Sequence, residues 1–315
     1  MHSVFLGKFI VSKKNIHLSI AFTTFASTGF GIIIWTVFFA FFEVIPPDLW
    51  FAVSTSVFAY LLIIIGSWCV MSNPRYRRVF YSKIRWWKTS WEIRQALCLV
   101  CGCITGLLFF IGWIAVAKYN DIWLFLGGLT SLLFIGALMG MAMSFVAHRT
   151  ILPWSNPHTV RIYISMGLWT GIVWLNMFTQ IFNFHTPVIG IVLIIIGIAT
   201  LIFKRKYWIF IDTYKKKFLQ NNNSSKDKNR FQPRMIEYCV YPDLTKNIDR
   251  LKIEMLRRRA FLLYFLLPFC AATMPVELTA WVSVSASIIG AFSVVAGVAI
   301  ERWLFFAEAK HFELK

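Results

Sequence analysis

The chain alternates between apolar runs of about twenty residues and short polar connections, a length that carries a helix across a bilayer core. Runs of this kind occupy about His17–Phe42, Leu49–Met71, Ala96–Ala117, Ile122–Val146, Ile162–Phe182, Pro187–Phe203, Ala260–Ala272 and Leu278–Phe306. Pro46 and Pro47 interrupt the apolar pattern after the first run, and Asn73-Pro74 closes the second, because proline cannot continue a helix. With 58% hydrophobic and only 15% charged residues, a soluble fold is excluded. The expectation is an all-α, polytopic membrane helix bundle of about eight transmembrane helices, forming a single domain over residues 1–315.

The net charge of +18 is concentrated between the runs, in the N-terminal stretch with Lys8, Lys13 and Lys14 and around residues 73–95, 148–161 and 204–259. Glu43, Asp48, Asp121 and Glu277 fall in the alternate connections. The positive-inside rule then places both termini and the basic loops in the cytoplasm, and accounts for the charge without nucleic acid. No small-residue cleavage site precedes the first run, so no removable leader is expected. Residues 204–259 hold 16 Lys and Arg against 6 acids and read as a basic, partly flexible cytoplasmic loop, with a linker at Asn221–Asn229. Ile248, Leu251, Met255 and Leu256 recur there at helical spacing, which predicts an amphipathic helix before the seventh span.

Cys98, Cys101 and Cys103 sit inside one apolar run without other ligands, where cysteine behaves as a small hydrophobe. None of the six histidines forms a facing pair within the spans of the kind that ligates haem. Neither haem nor a bound metal is expected in this chain.

Residues 73–95 interleave Arg75, Arg77, Arg78, Lys83, Arg85, Lys88 and Arg94 with Tyr76, Tyr81, Trp86, Trp87 and Trp91. Side chains with an apolar body and a polar tip suit the lipid headgroup zone. This stretch reads as an interfacial loop between a lipid-soluble substrate and a soluble partner. Span centres are almost free of charge, which favours chemistry at the interface over a path through the membrane. Glu301 and Glu308 share a helix face, with His311 one turn further. They are expected either to snorkel to water, pairing with Arg302 and Lys310, or to exchange protons with a membrane-soluble redox carrier.

The C-terminal Glu301-Arg-Trp-Leu-Phe-Phe-Ala-Glu-Ala-Lys-His311 is similar to the closing motif of the DMSO reductase anchor-subunit (DmsC) family, most of all its branch associated with sulfite-oxidising molybdoenzymes. His17–Gly31, Ile151-Leu-Pro-Trp-Ser-Asn-Pro157 and Lys206-Tyr-Trp-Ile-Phe-Ile-Asp212 also resemble segments of that branch, in the same order. The resemblance implies a non-catalytic anchor subunit in the bacterial inner membrane. Such a subunit exchanges electrons between menaquinone or ubiquinone and an iron–sulfur partner subunit, which in turn serves a molybdopterin catalytic subunit in anaerobic or respiratory electron transport. Where the family carries a histidine entering the 73–95 loop, this chain has Val70, and Gln95 stands where a glutamate closes it. Glu92 is then the candidate proton acceptor, with Trp91, Arg94, Gln95, Asn73 and Arg75 as further quinone-binding candidates. Glu301, Arg302, Glu308, His311 and Trp154 are the second choice, for proton exchange or docking. The alternative reading is a multi-pass small-solute transporter.

Overall fold

A computed structural model describes residues 13–84, 88–116, 121–148, 151, 153–184, 186–224, 235–239, 250–273 and 280–314. The helices are α1 (Lys13–Phe41), α2 (Leu49–Met71), α3 (Pro74–Lys83), α4 (Trp91–Val116), α5 (Asp121–Val146), α6 (Pro157–Ile181) and α7 (Pro187–Ser224). After a short strand β1 (Met235–Cys239) come α8 (Arg250–Phe261), a π turn (Leu262–Leu266), α9 (Leu267–Thr273), α10 (Ala280–Ala307) and β2 (Lys310–Leu314). The expected all-α membrane bundle is what the chain forms. Seven described helices are long and apolar enough to cross a membrane. The remaining apolar run, Ala260–Ala272, lies in the end of α8, the π turn and α9. It runs antiparallel to α10, because Gly297 meets Tyr264 whereas Gly290 meets Pro268 and Ala271.

The centre of the bundle is the crossing of α1 and α6. Their apolar stretches are 83% and 89% buried, against 28% for α5 and α7. α1 packs on α2, α5, α6 and α10, while α4 stands outside, mainly against α5. A Cβ on Gly31 would lie 2.1 Å from the Gly167 carbonyl oxygen, and one on Gly171 would lie 2.2 Å from the Gly31 carbonyl carbon. Only glycine lets the two backbones approach this far.

Local sequence explains the helix ends. Asp48 caps α2 by accepting from the Phe51 N–H at 2.8 Å, and Asn156 caps α6 by accepting from His158 and Thr159 at 2.7 and 3.1 Å. Pro157 follows that cap at a position where its missing N–H costs nothing. α1 stops before the proline pair. Glu43 adopts φ 54°, and the Glu43 and Val44 N–H groups return to Ala40 and Phe39. Asn183, at φ 60°, closes α6 in the same manner through Phe184 and Thr179. Both are left-handed terminations that satisfy the last carbonyls.

Two polar segments differ from expectation. The stretch at 73–95 is not simply a loop, since it contains the amphipathic helix α3. Residues 204–224, expected to open the basic cytoplasmic loop, continue the sixth span as helix. At about 1.5 Å per residue, α7 is roughly 57 Å long against a hydrocarbon core of about 30 Å, so its basic end projects from the membrane. No proline or glycine lies between residues 198 and 224 to stop it. Most of the Asn221–Asn229 linker lies outside the described residues, as does the start of the helix predicted from Thr245. β1 and β2 pair antiparallel, with Tyr238 opposite His311, and tie the 235–239 segment to the C-terminal end of α10.

Gly171→Ala is expected to lower stability by about 1–3 kcal/mol through overpacking at the α1–α6 crossing. Gly128→Ala, where a Cβ meets nothing within 4 Å, should leave it unchanged or slightly higher. Thermal unfolding of the detergent-solubilised protein compares the two.

Candidate functional site

The sequence candidates fall into two groups at the basic end of the bundle. The first is built by α3 and the start of α4. Asn73, half-buried, accepts the Arg77 N–H at 3.0 Å and so begins α3. Arg75 lies in the first turn of that helix. Arg94 donates to the Lys88 carbonyl and holds its guanidinium 4.6 Å from the Trp91 ring centre. Glu92 sits in the first turn of α4, where the helix dipole favours a negative charge. Burial, and then the Glu92 charge, push the Tyr76 phenol well above its ordinary pKa, so Tyr76 stays a neutral hydrogen-bonding group beside that carboxylate.

Trp91, Glu92, Arg94 and Tyr76 therefore form one interfacial patch. Gln95 does not join it. The side chain is 7% exposed and turns into the bundle, where a Cβ on Gly140 of α5 would be 2.9 Å from its own Cβ. Val70 is likewise buried.

The second group is the meeting point of α6, α7 and α10. Lys204 donates to Glu301 Oε1, and the two side chains are 1% and 4% exposed. The Lys204 ammonium also lies 4.6 Å from the Tyr207 ring and 5.0 Å from Trp208. Arg302 is 1% exposed and lays its guanidinium 3.5 Å above the Tyr163 ring. Of the two expectations for Glu301 and Glu308, snorkelling to water with pairing to Arg302 does not hold for Glu301. This face of α10 is turned into the bundle, and each residue finds its partner on another helix. Lys204 lies about 26 Å along α7 from Pro187, and Glu301 about 30 Å along α10 from Trp281, so the pair sits at the basic edge of the hydrocarbon core.

One turn outward the network reaches the surface. Arg257 of α8 donates to Glu308 at 2.6 Å and to both Asp212 oxygens at 3.2 Å. Burial alone would lower the Arg257 pKa, but the Glu308 and Asp212 carboxylates outweigh it and hold the guanidinium above its ordinary value. Trp154 is a buried pin, donating from Nε1 to the Phe305 carbonyl at 3.2 Å and stacking on that ring. The Tyr207 hydroxyl donates to the Pro153 carbonyl at 3.2 Å. His311 lies in β2, opposite Tyr238.

The two groups belong to different helix sets, α3–α4 and α6–α7–α8–α10, so Glu308 and Arg302 do not complete the Glu92 patch. Sequence reasoning missed Lys204, Tyr163, Tyr207 and Arg257. A signal existed for Lys204: Leu193, Thr200, Lys204 and Tyr207 share one helix face, and all four are buried. Among the described residues no group of three or more His, Cys, Asp and Glu side chains is placed to hold a metal ion. Comparison with models of known protein families, with characterised proteins and with solved structures finds no match for this chain.

Lys204→Met strands a buried Glu301 carboxylate and is expected to cost about 3–5 kcal/mol. The double variant Lys204→Met/Glu301→Leu should recover most of that loss. Thermal unfolding across the four-member cycle measures both effects, and equal losses in single and double variants would contradict a net-unfavourable stranded charge.

Proposed function

We propose that this chain is the membrane anchor subunit of a molybdopterin oxidoreductase complex, exchanging electrons between membrane quinone and an iron–sulfur partner subunit. One observation carries the reading. Three of the segments that resemble the anchor-subunit family are packed on one another, although they lie far apart in sequence. Trp154 bonds Phe305, Tyr207 bonds Pro153, and Asp212 and Glu308 share Arg257. Residues that recur together in such a family have a physical reason to do so when they form one junction.

The surface agrees with an anchoring role. Arg77, Arg78, Arg205, Lys206, Arg258 and Arg259 are exposed at the basic end, which faces the cytoplasm under the positive-inside rule and offers an acidic partner a complementary platform. The transporter reading has less support, because every charged side chain within a described span lies toward that same end.

Quinone exchange belongs to the Trp91–Glu92–Arg94 patch. α4 stands at the outside of the bundle, so a lipid-soluble ring reaches its first turn from the membrane. Quinol oxidation sends two electrons to the iron–sulfur partner and releases two protons; Glu92 accepts one and water of the headgroup zone takes the other, while Trp91 and Arg94 offer an aromatic face and hydrogen-bond donors to the ring. Asn73 and Arg75 precede the patch in sequence, at the start of α3.

Purification of the tagged chain from its native host is expected to bring down an iron–sulfur subunit and a molybdopterin subunit. Recovery of the chain alone would overturn the anchor reading. In the assembled complex, Glu92→Ala should lower quinol-linked turnover by about 10²-fold while partner recovery stays unchanged. Unaltered quinol kinetics would remove Glu92 from the site.

A further inference from the structure

A small cavity of about 10 Å³ lies inside the α6–α7–α10 junction, lined by Thr159, Tyr163, Lys204, Tyr207, Glu301 and Arg302 among others. That is the space needed for the centre of one water molecule. Three of the lining residues, each at least nine-tenths buried, keep polar atoms without a hydrogen-bond partner. They are Glu301 Oε2, Arg302 Nε and Nη2, and the Tyr163 hydroxyl. The other Glu301 oxygen is taken by Lys204, and the Arg302 guanidinium carbon lies 3.5 Å from the centre of the Tyr163 ring.

We propose that this cavity is a binding site for a single resident water that joins Glu301, Arg302 and Tyr163. The donor and acceptor count matches. Water accepts from Arg302 and donates to Glu301 Oε2, and the Tyr163 hydroxyl serves as donor or acceptor to complete the set. Charge also selects a neutral occupant. Lys204, Arg302 and Arg257 are balanced by Glu301, Glu308 and Asp212 across the junction and its rim. An added cation would meet Lys204 and Arg302 in the cavity wall, an added anion would meet the Glu301 carboxylate, and the volume excludes anything larger than water. The water finishes a polar junction that the protein alone leaves incomplete, fixing α6 against α10 beneath the basic face. This assignment is independent of which partner the chain carries.

Infrared difference spectroscopy on the full-length protein in lipid nanodiscs tests it, comparing normal water with oxygen-18 water. The wild-type protein is expected to show an O–H stretching band outside the bulk envelope that shifts on oxygen exchange. Tyr163→Phe keeps the ring under Arg302 and removes only the hydroxyl, so the band should shift or vanish. Tyr60→Phe, which removes a hydroxyl bonded to Cys103 on another helix pair, should keep it. The amide bands of the same spectra report whether each variant has folded. A wild-type band that is absent, or one identical in Tyr163→Phe and Glu301→Gln, overturns the site. A high-resolution map of the wild-type protein gives a second reading that needs no variant. Density within hydrogen-bonding distance of Glu301 Oε2, Arg302 and Tyr163 supports the water, and an empty cavity overturns it.

Discussion

The contact of α1 with α6 at Gly31 and Gly171 organises the bundle, because helices in a bilayer gain little from hiding apolar surface from apolar lipid. Association must come from close packing and from polar groups that prefer a protein partner. Glycine supplies the first by letting backbone meet backbone. The second is visible on α1, where Thr23, Ser27, Thr28 and Thr36 each donate to a carbonyl four residues back. Their hydroxyls are therefore buried without needing a facing acceptor. Trp35 adds one bond across the crossing, donating to the Leu168 carbonyl at 2.8 Å. The outer helices show the complementary pattern, with Ile64, Phe125 and Ile195 exposed to what is hydrocarbon in the membrane.

The same requirement, that no polar group inside the membrane go unmet, explains the π turn in the Ala260–Ala272 run. Pro268 has no N–H to give to Tyr264, four residues earlier. The chain widens into a π turn just before it, with the Leu267 N–H returning to Leu262, and the Tyr264 carbonyl receives the Trp169 indole at 2.7 Å instead. Gly297 of α10 and Gly197 of α7 make room for Tyr264 and Trp169. A helix whose apolar portion is shorter than its neighbours is thereby held by side-chain bonding and tight packing. At the basic edge, Lys204 and Glu301 are both withdrawn from bulk solvent, and each neutralises the other.

Much of this architecture was legible in the sequence, for reasons that also mark where legibility ends. Apolar runs of spanning length and the Asn73-Pro74 break are local signals, and the helices follow them. The α1 end was legible within a residue from the proline pair, but its left-handed turn was not, because Glu43 is not a residue that advertises one. Residues 204–224 resembled a loop because basic residues crowd there, yet Lys, Tyr, Trp and Phe are acceptable in a helix and nothing breaks it. The Lys204–Glu301 pair spans 97 residues and joins two helices whose registry depends on the whole bundle, so no local pattern could announce it. Trp91 and Arg94 were legible as neighbours, whereas the inward turn of Gln95 depends on Gly140 in another helix.

The separation of the two polar groups assigns them different work in the proposed role. Breaking the Lys204–Glu301 pair or the Arg257–Glu308 pair leaves a charge without its counter-charge in a low-dielectric setting. The junction keeps α6, α7, α8 and α10 in fixed relation beneath the exposed basic surface. The Glu92 patch has the opposite character. Glu92 is half-buried and lies at a helix start on the rim of the bundle, next to Trp91 and beside the Tyr76 phenol. The junction and the patch rest on different helices, so a substitution at Glu92 leaves the Lys204–Glu301 and Arg257–Glu308 pairs intact.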